Sequence, residues 1–172
     1  MGMLEMYKYY ARCNQAINSK MIKIMEELDF NVYNYKVDGY YKSIGEICNH
    51  WYIGDLSWLN SFRTIKEYSV FKDPTFENMP TFGEQPFQSI TEFKENRTKL
   101  DRIILNLMDE IETEDLNKTG TRVNRLGEKK EHLFWKSLTH MFNHQTHHRG
   151  QISQILDQLK IENDYSNMIL ID

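Results

Sequence analysis

Six histidines occur in the chain, and four of them fall between His140 and Gln151, which reads His-Met-Phe-Asn-His-Gln-Thr-His-His-Arg-Gly-Gln. His132 stands just upstream and His50 is remote. On a helix, His144 and His148 are i and i+4, so their imidazoles share one face about 5–6 Å apart at Cβ. Two imidazoles at that spacing can bind one metal ion, as in the HExxH metalloproteases, although the glutamate of that motif is absent here. Around a helix at about 100° per residue, Leu133, Phe134, Leu138, Met141, Ile152, Ile155, Leu156 and Leu159 form one broad apolar side. His148 falls near that side and His144 on its border, with His140 further round and His147 furthest toward solvent. The competing reading is a helix with a histidine-rich polar edge and one or two hydrogen-bonded core histidines.

A third ligand has to come from elsewhere, and His50 is the candidate. Ser43-Ile-Gly-Glu46 reads as a capping box that opens a second helix running to about residue 65. Ile44, Ile47, Trp51, Trp58, Leu59 and Phe62 form its apolar side, with His50 at the edge. If this helix neighbours the histidine-rich one, His50 meets His144 and His148. Three neutral imidazoles on a divalent ion leave positions open for water or substrate, the catalytic rather than the closed structural pattern. Such an ion could lower the pKa of a bound water, polarise a carbonyl or hold a thiol as thiolate. Zn²⁺, Ni²⁺ and Fe²⁺ all accept imidazole, and the metal stays open.

Several neighbours carry two readings. Asp55 points into the apolar side of its helix and needs a partner there. It either orients a histidine or pairs with a Tyr, an Arg or a backbone N–H. Gln151, three residues after His148, either touches a metal-bound water or is a surface amide. Glu46 is read as a cap and Cys48 as a core thiol. Arg149 is expected to pair with a carboxylate. Gly150 within a helix costs about 1 kcal/mol relative to Ala, which suggests close packing or bending.

The remaining segments supply the frame. Residues 3–28 repeat apolar positions at three- and four-residue steps, and Asn14 there could make a buried hydrogen bond. Residues 67–88 hold all three prolines and five aromatics, and are expected to pack over a surface as a cover or lid. Ser89-Ile-Thr-Glu92 is a second capping box, opening a helix to about residue 111. Residues 112–130 are polar, with a small hairpin or extended turn over 119–127. The histidine-rich helix runs from about 131 to 159, and 168–171 packs back on the body. The expectation is an all-α single domain, 1–172, built as a four-helix bundle with a long crossover loop.

Composition narrows the partners. Formal net charge is −4 with no Lys/Arg-rich block, which argues against a nucleic-acid backbone. Cys13 and Cys48 form no CxxC pattern, and no continuous apolar run of membrane-spanning length occurs. A cytoplasmic protein acting on a small-molecule substrate is expected.

Asn143-His-Gln-Thr-His-His-Arg-Gly-Gln151 resembles the signature of the DinB family of four-helix-bundle proteins, the YfiT-like metal-binding group. The resemblance extends to an Asn-containing first helix and to a His followed five residues later by Asp on the second. It implies that His50, His144 and His148 are the metal ligands. The first helix reads Tyr10-Ala-Arg-Cys-Asn14, looser than the family's Tyr-Asn-x-x-x-Asn. The resemblance further implies a homodimer and a metal-dependent enzyme, a hydrolase or an S-transferase using a low-molecular-weight thiol such as bacillithiol, mycothiol or glutathione. The alternative is a non-catalytic metal- or ligand-binding module of a stress response.

Overall fold

The computed structural model describes residues 2–28, 30–123, 127–169 and 171, with the side chains of residues 30 and 31 left aside. Four long helices, α1 (Met3–Glu26), α3 (Ile44–Phe62), α4 (Ile90–Glu110) and α5 (Phe134–Gln158), account for most of the chain. A single turn, α2 (Phe30–Tyr33), precedes α3. A two-stranded antiparallel sheet, β1 (Thr119–Val123) and β2 (Lys129–Leu133), precedes α5. The fold is thus mostly helical, with one small sheet. α1 packs along α4 and α3 along α5, while smaller contacts join α1 to α5 and α3 to α4. No described helix is long and apolar enough to cross a membrane.

Local chemistry sets the helix starts. The Ser43 hydroxyl accepts the Glu46 N–H at 3.2 Å, and the Glu46 carboxylate reaches back to the Lys42 N–H at 2.8 Å. Glu46 is therefore occupied as a cap. Ser89 and Glu92 close a full capping box on α4. The expected inner residues of α3 and α4 are buried, including Trp51, Phe62, Phe93, Leu100 and Leu107. Cys48 is a fully buried core thiol.

Some boundaries differ from the sequence reading. α1 stops at Glu26 rather than 28, and α3 at Phe62 rather than 65. α5 begins at Phe134, because residues 129–133 are drawn into the sheet, with Arg122 opposite Lys130 and Gly120 opposite His132. The Phe134 N–H is satisfied by the Lys118 carbonyl at 2.9 Å, across the base of the hairpin. Within the expected 119–127 hairpin, Asn124, Arg125 and Leu126 lie outside the described residues, as does Leu170 of the C-terminal segment. Met168 and Ile171 pack against the core, and the Tyr9 hydroxyl donates to the Met168 carbonyl at 2.8 Å.

The 67–88 connection packs down over the helices. Tyr68, Phe71, Phe76 and Phe87 are buried, and two 3₁₀ turns, Ser69–Lys72 and Pro74–Phe76, shape its first half. Buried Asn49 on α3 pins its end, accepting the Phe87 N–H at 2.8 Å and donating to the Phe87 carbonyl at 2.9 Å. That clamp leaves Phe82 resting against the His50 ring, with centroids 5.4 Å apart.

Candidate metal centre

α3 and α5 bring His50, His144 and His148 together, each offering one ligand atom within 4.8 Å of the others. Ring centroids lie 5.4 Å apart for His50–His144, 4.9 Å for His50–His148 and 4.3 Å for His144–His148. His148 Nδ1 meets the Gln151 amide oxygen at 2.7 Å. An amide oxygen can only accept, so Nδ1 carries the proton and Nε2 is left with its lone pair. His148 Nε2 faces His144 Nε2 at 2.9 Å, close enough for one imidazole to donate to the other in the metal-free chain. His144 Nδ1 is buried without a hydrogen-bond partner.

The surroundings keep the His144 and His148 rings neutral. Burial is the largest cause that pushes His144 down to about 3, followed by repulsion from His148 and His50. Burial likewise lowers His148 to about 4, against a smaller opposing pull from Gln151. Neutral imidazole is the form a metal requires. Tyr41 lies over both His50 and His148, at 5.1 and 5.7 Å between ring centroids. Gly54 makes the room on α3: a Cβ there would stand 2.5 Å from His144 Cε1. Three imidazole nitrogens, one tautomer fixed by an amide and a recess cut for the second ring fit a divalent cation.

Gln151 therefore touches a site histidine rather than lying as a surface amide. Of the other neighbours, Asp55 takes the arginine-paired of its two readings and Arg149 departs from its expected carboxylate. Asp55 meets no histidine; its carboxylate accepts from Arg97 Nη1 at 2.6 Å and Gln145 Nε2 at 2.9 Å. Burial raises it to about 6, against the opposing pull of Arg97. Arg149 does not pair with a carboxylate but with the amide oxygens of Asn14 and Asn18 and the Thr146 hydroxyl. Asn18 in turn donates to Asp101, and Asp101 accepts from Arg97. Burial lowers Arg149 to about 10. This buried polar chain joins α1, α3, α4 and α5, and Arg97, Asp101, Asn18 and Gln145 went unnoticed in the sequence. A signal existed, because Arg97 falls on the Phe93–Leu100–Ile104 stripe and Asn18 follows Asn14 by one turn. Gly150 is not a close-packing position, since a Cβ there meets nothing within 4 Å. His140 and His147 are exposed; His140 leans on Trp58 at 4.7 Å, and His147 borders His148 at 5.0 Å.

The cluster opens on one side into a cavity of about 590 Å³ whose walls include His50, Gly54, Phe82, Arg122, His140 and His144. The arrangement can hold a divalent cation at the edge of a space large enough for a small organic molecule.

Protein DinB of Bacillus subtilis (strain 168) is 26% identical over 159 residues, covering 90% of this chain and 84% of that protein. The DinB family profile matches residues 3–162, a span that contains all three clustered histidines. The chain belongs to the DinB family.

Proposed function

We propose that His50, His144 and His148 hold one divalent metal ion, and that the protein is a metal-dependent enzyme on a DinB-type four-helix bundle. The reaction class is transfer of a low-molecular-weight thiol to an electrophile, or hydrolysis. The observation that carries this reading is the convergence of three imidazole donors beside an open cavity whose wall includes His50 and His144. Imidazole sets of this kind suit Zn²⁺, Ni²⁺ or Fe²⁺. Bound there, the ion supplies Lewis acidity beside an open coordination position.

The chain's own residues do the rest. Gln151 fixes the His148 tautomer by accepting from Nδ1. Gly54 leaves the recess that lets the His144 ring reach the cluster. Tyr41 and Phe82 lie against His50 and shield it from bulk water, while substrate has access from the cavity side. No Asp, Glu or Cys joins the three histidines among the described residues, which supports an open rather than a closed site. Thiol transfer is the chemistry that the family resemblance brings.

Elemental analysis of protein purified without chelator or histidine tag tests the site. About one Zn, Ni or Fe per chain is expected in the wild type, lost in His50→Ala. Thiols are then screened with electrophiles against wild type and His144→Ala. Turnover that persists in His144→Ala after its metal is gone overturns the metal-dependent reading.

A further inference from the structure

The cavity beside the histidines shares a wall with a second pocket, and that wall is cationic. Arg122, Trp58 and His140 line both spaces, and the second, of about 450 Å³, adds Lys130, His132 and Lys136. Three cationic side chains gather here in a chain whose net charge is −4. Among the described residues, no Asp or Glu lines either space. Glu128 approaches Lys130 only at 3.9 Å, with both side chains well exposed.

Arg122 is held in place by α3. Its guanidinium stacks on Trp58 at 4.0 Å and donates through Nη2 to the Ser57 hydroxyl at 3.1 Å. The sheet register places Lys130 directly opposite Arg122. Like charges directly opposed across an antiparallel ladder are destabilising. Side chains alternate across a strand, so Arg122, Lys130 and His132 share one face of the hairpin, turned toward Trp58. An anion lying between the cations would reverse that repulsion. A stacked arginine fork suits the planar oxygens of a carboxylate or the tetrahedral oxygens of a phosphate.

We propose that this double pocket selects small organic anions: Arg122, Lys130 and Lys136 take a carboxylate or phosphate group while the rest of the molecule extends to His50 and His144. The assignment of substrate class rests on the metal-centre reading; the anion site itself does not. Anion charge, not thiol identity, is then the first filter on what enters.

The test uses the full chain loaded with zinc, and follows the Trp58 indole N–H by ¹⁵N NMR. The probes are succinate, its uncharged diamide and inorganic phosphate. Succinate and phosphate should shift the resonance saturably and the diamide should not. The tighter of the two anions names the preferred group. Lys130→Gln/Lys136→Gln, at exposed positions, should weaken succinate by about tenfold without changing zinc content. Arg122→Gln should weaken it further. Equal binding of succinate by the lysine double variant, or equal binding of the diamide, overturns the proposal. Loss of succinate binding in zinc-free His144→Ala would assign the anion to the metal and also overturn it. A wild type that takes up no zinc yet binds succinate with the same lysine dependence overturns the metal reading and supports this one.

Discussion

Two polar clusters lie back to back on α5. Gln145 and Arg149 each follow a clustered histidine by one residue, His144 and His148, and so point about 100° away around the helix. On their side, Asp55, Arg97, Asp101 and Arg149 place two negative and two positive groups among amide partners, nearly all of them buried. Charges there are paired within the protein, Arg97 bridging Asp55 and Asp101, although Asp55 Oδ1, Arg97 Nε and Gln145 Oε1 are buried without a hydrogen-bond partner. On the other side, three imidazoles present ligand atoms to one another, and Gln151 completes only the far nitrogen of His148. The first cluster balances its charges within the fold. The second converges three ring nitrogens that could hold an outside ion. Polar residues on apolar helix faces thus divide by complementarity, which burial alone does not reveal.

The largest effect should fall on the charge-paired cluster. Arg97→Met removes the shared cation of two buried carboxylates, and breaking one side of a buried pair costs about 3–5 kcal/mol. Urea denaturation of chelator-treated protein measures it. His50→Ala in the same assay should leave the metal-free midpoint nearer that of wild type, because the half-buried ring packs against Tyr41 and Phe82, whereas Arg97 bridges two buried carboxylates. If the two variants lose equal stability, the division between a structural and a ligand-holding cluster is wrong.

Much of this was legible in the chain, for identifiable reasons. His144 and His148 were readable because i,i+4 spacing fixes their relation without any tertiary information. His50 needed the added premise that α3 and α5 are neighbours. The capping boxes at Ser43 and Ser89 and the apolar stripes placed the helices well. The start of α5 is not legible in the sequence, because Lys129–Leu133 has no strong preference of its own and pairing with Thr119–Val123 decides its conformation. Arg149 was given a carboxylate on general grounds, but its partner is set by two asparagines more than a hundred residues away. Gly54 could not be read at all, since its role exists only where α3 meets the His144 ring.

Acid should separate the clusters next. His144 and His148 are lowered in the folded chain, from an ordinary 6.5 to about 3 and about 4. The unfolded chain therefore takes up protons first as pH falls below 6.5. The stability these residues contribute is present above that value and is lost on descent toward the folded pKa values. Asp55, raised from 3.8 to about 6, contributes with the opposite sign: its share is present below 3.8 and lost as pH rises through 6. Comparing chelated wild type with His144→Gln/His148→Gln isolates the histidines. The double variant should show the shallower fall in urea midpoint between pH 6.5 and 4. Parallel profiles would mean that these rings titrate as exposed histidines do.

The smallest effects come from two glycines, and they isolate the geometry of the site most cleanly. Both Gly54 and Gly150 lie inside helices, so each Gly→Ala change carries the same favourable propensity of about 1 kcal/mol. At Gly150 the new methyl meets nothing within 4 Å. Gly150→Ala should raise stability by about 0.5–1 kcal/mol and leave zinc affinity unchanged in competition with a chromophoric chelator. At Gly54 the methyl would stand 2.5 Å from His144 Cε1, so the imidazole must move. Gly54→Ala should fold with a smaller gain or none, and lose zinc affinity by about ten- to a hundredfold, as displacing a ligand's supports does elsewhere. Because the propensity term is common to both, the difference in zinc affinity reports only on whether His144 occupies its recess. Equal affinity in the two variants would show that the His144 ring is not where the ion needs it, whatever the histidines at 50 and 148 do.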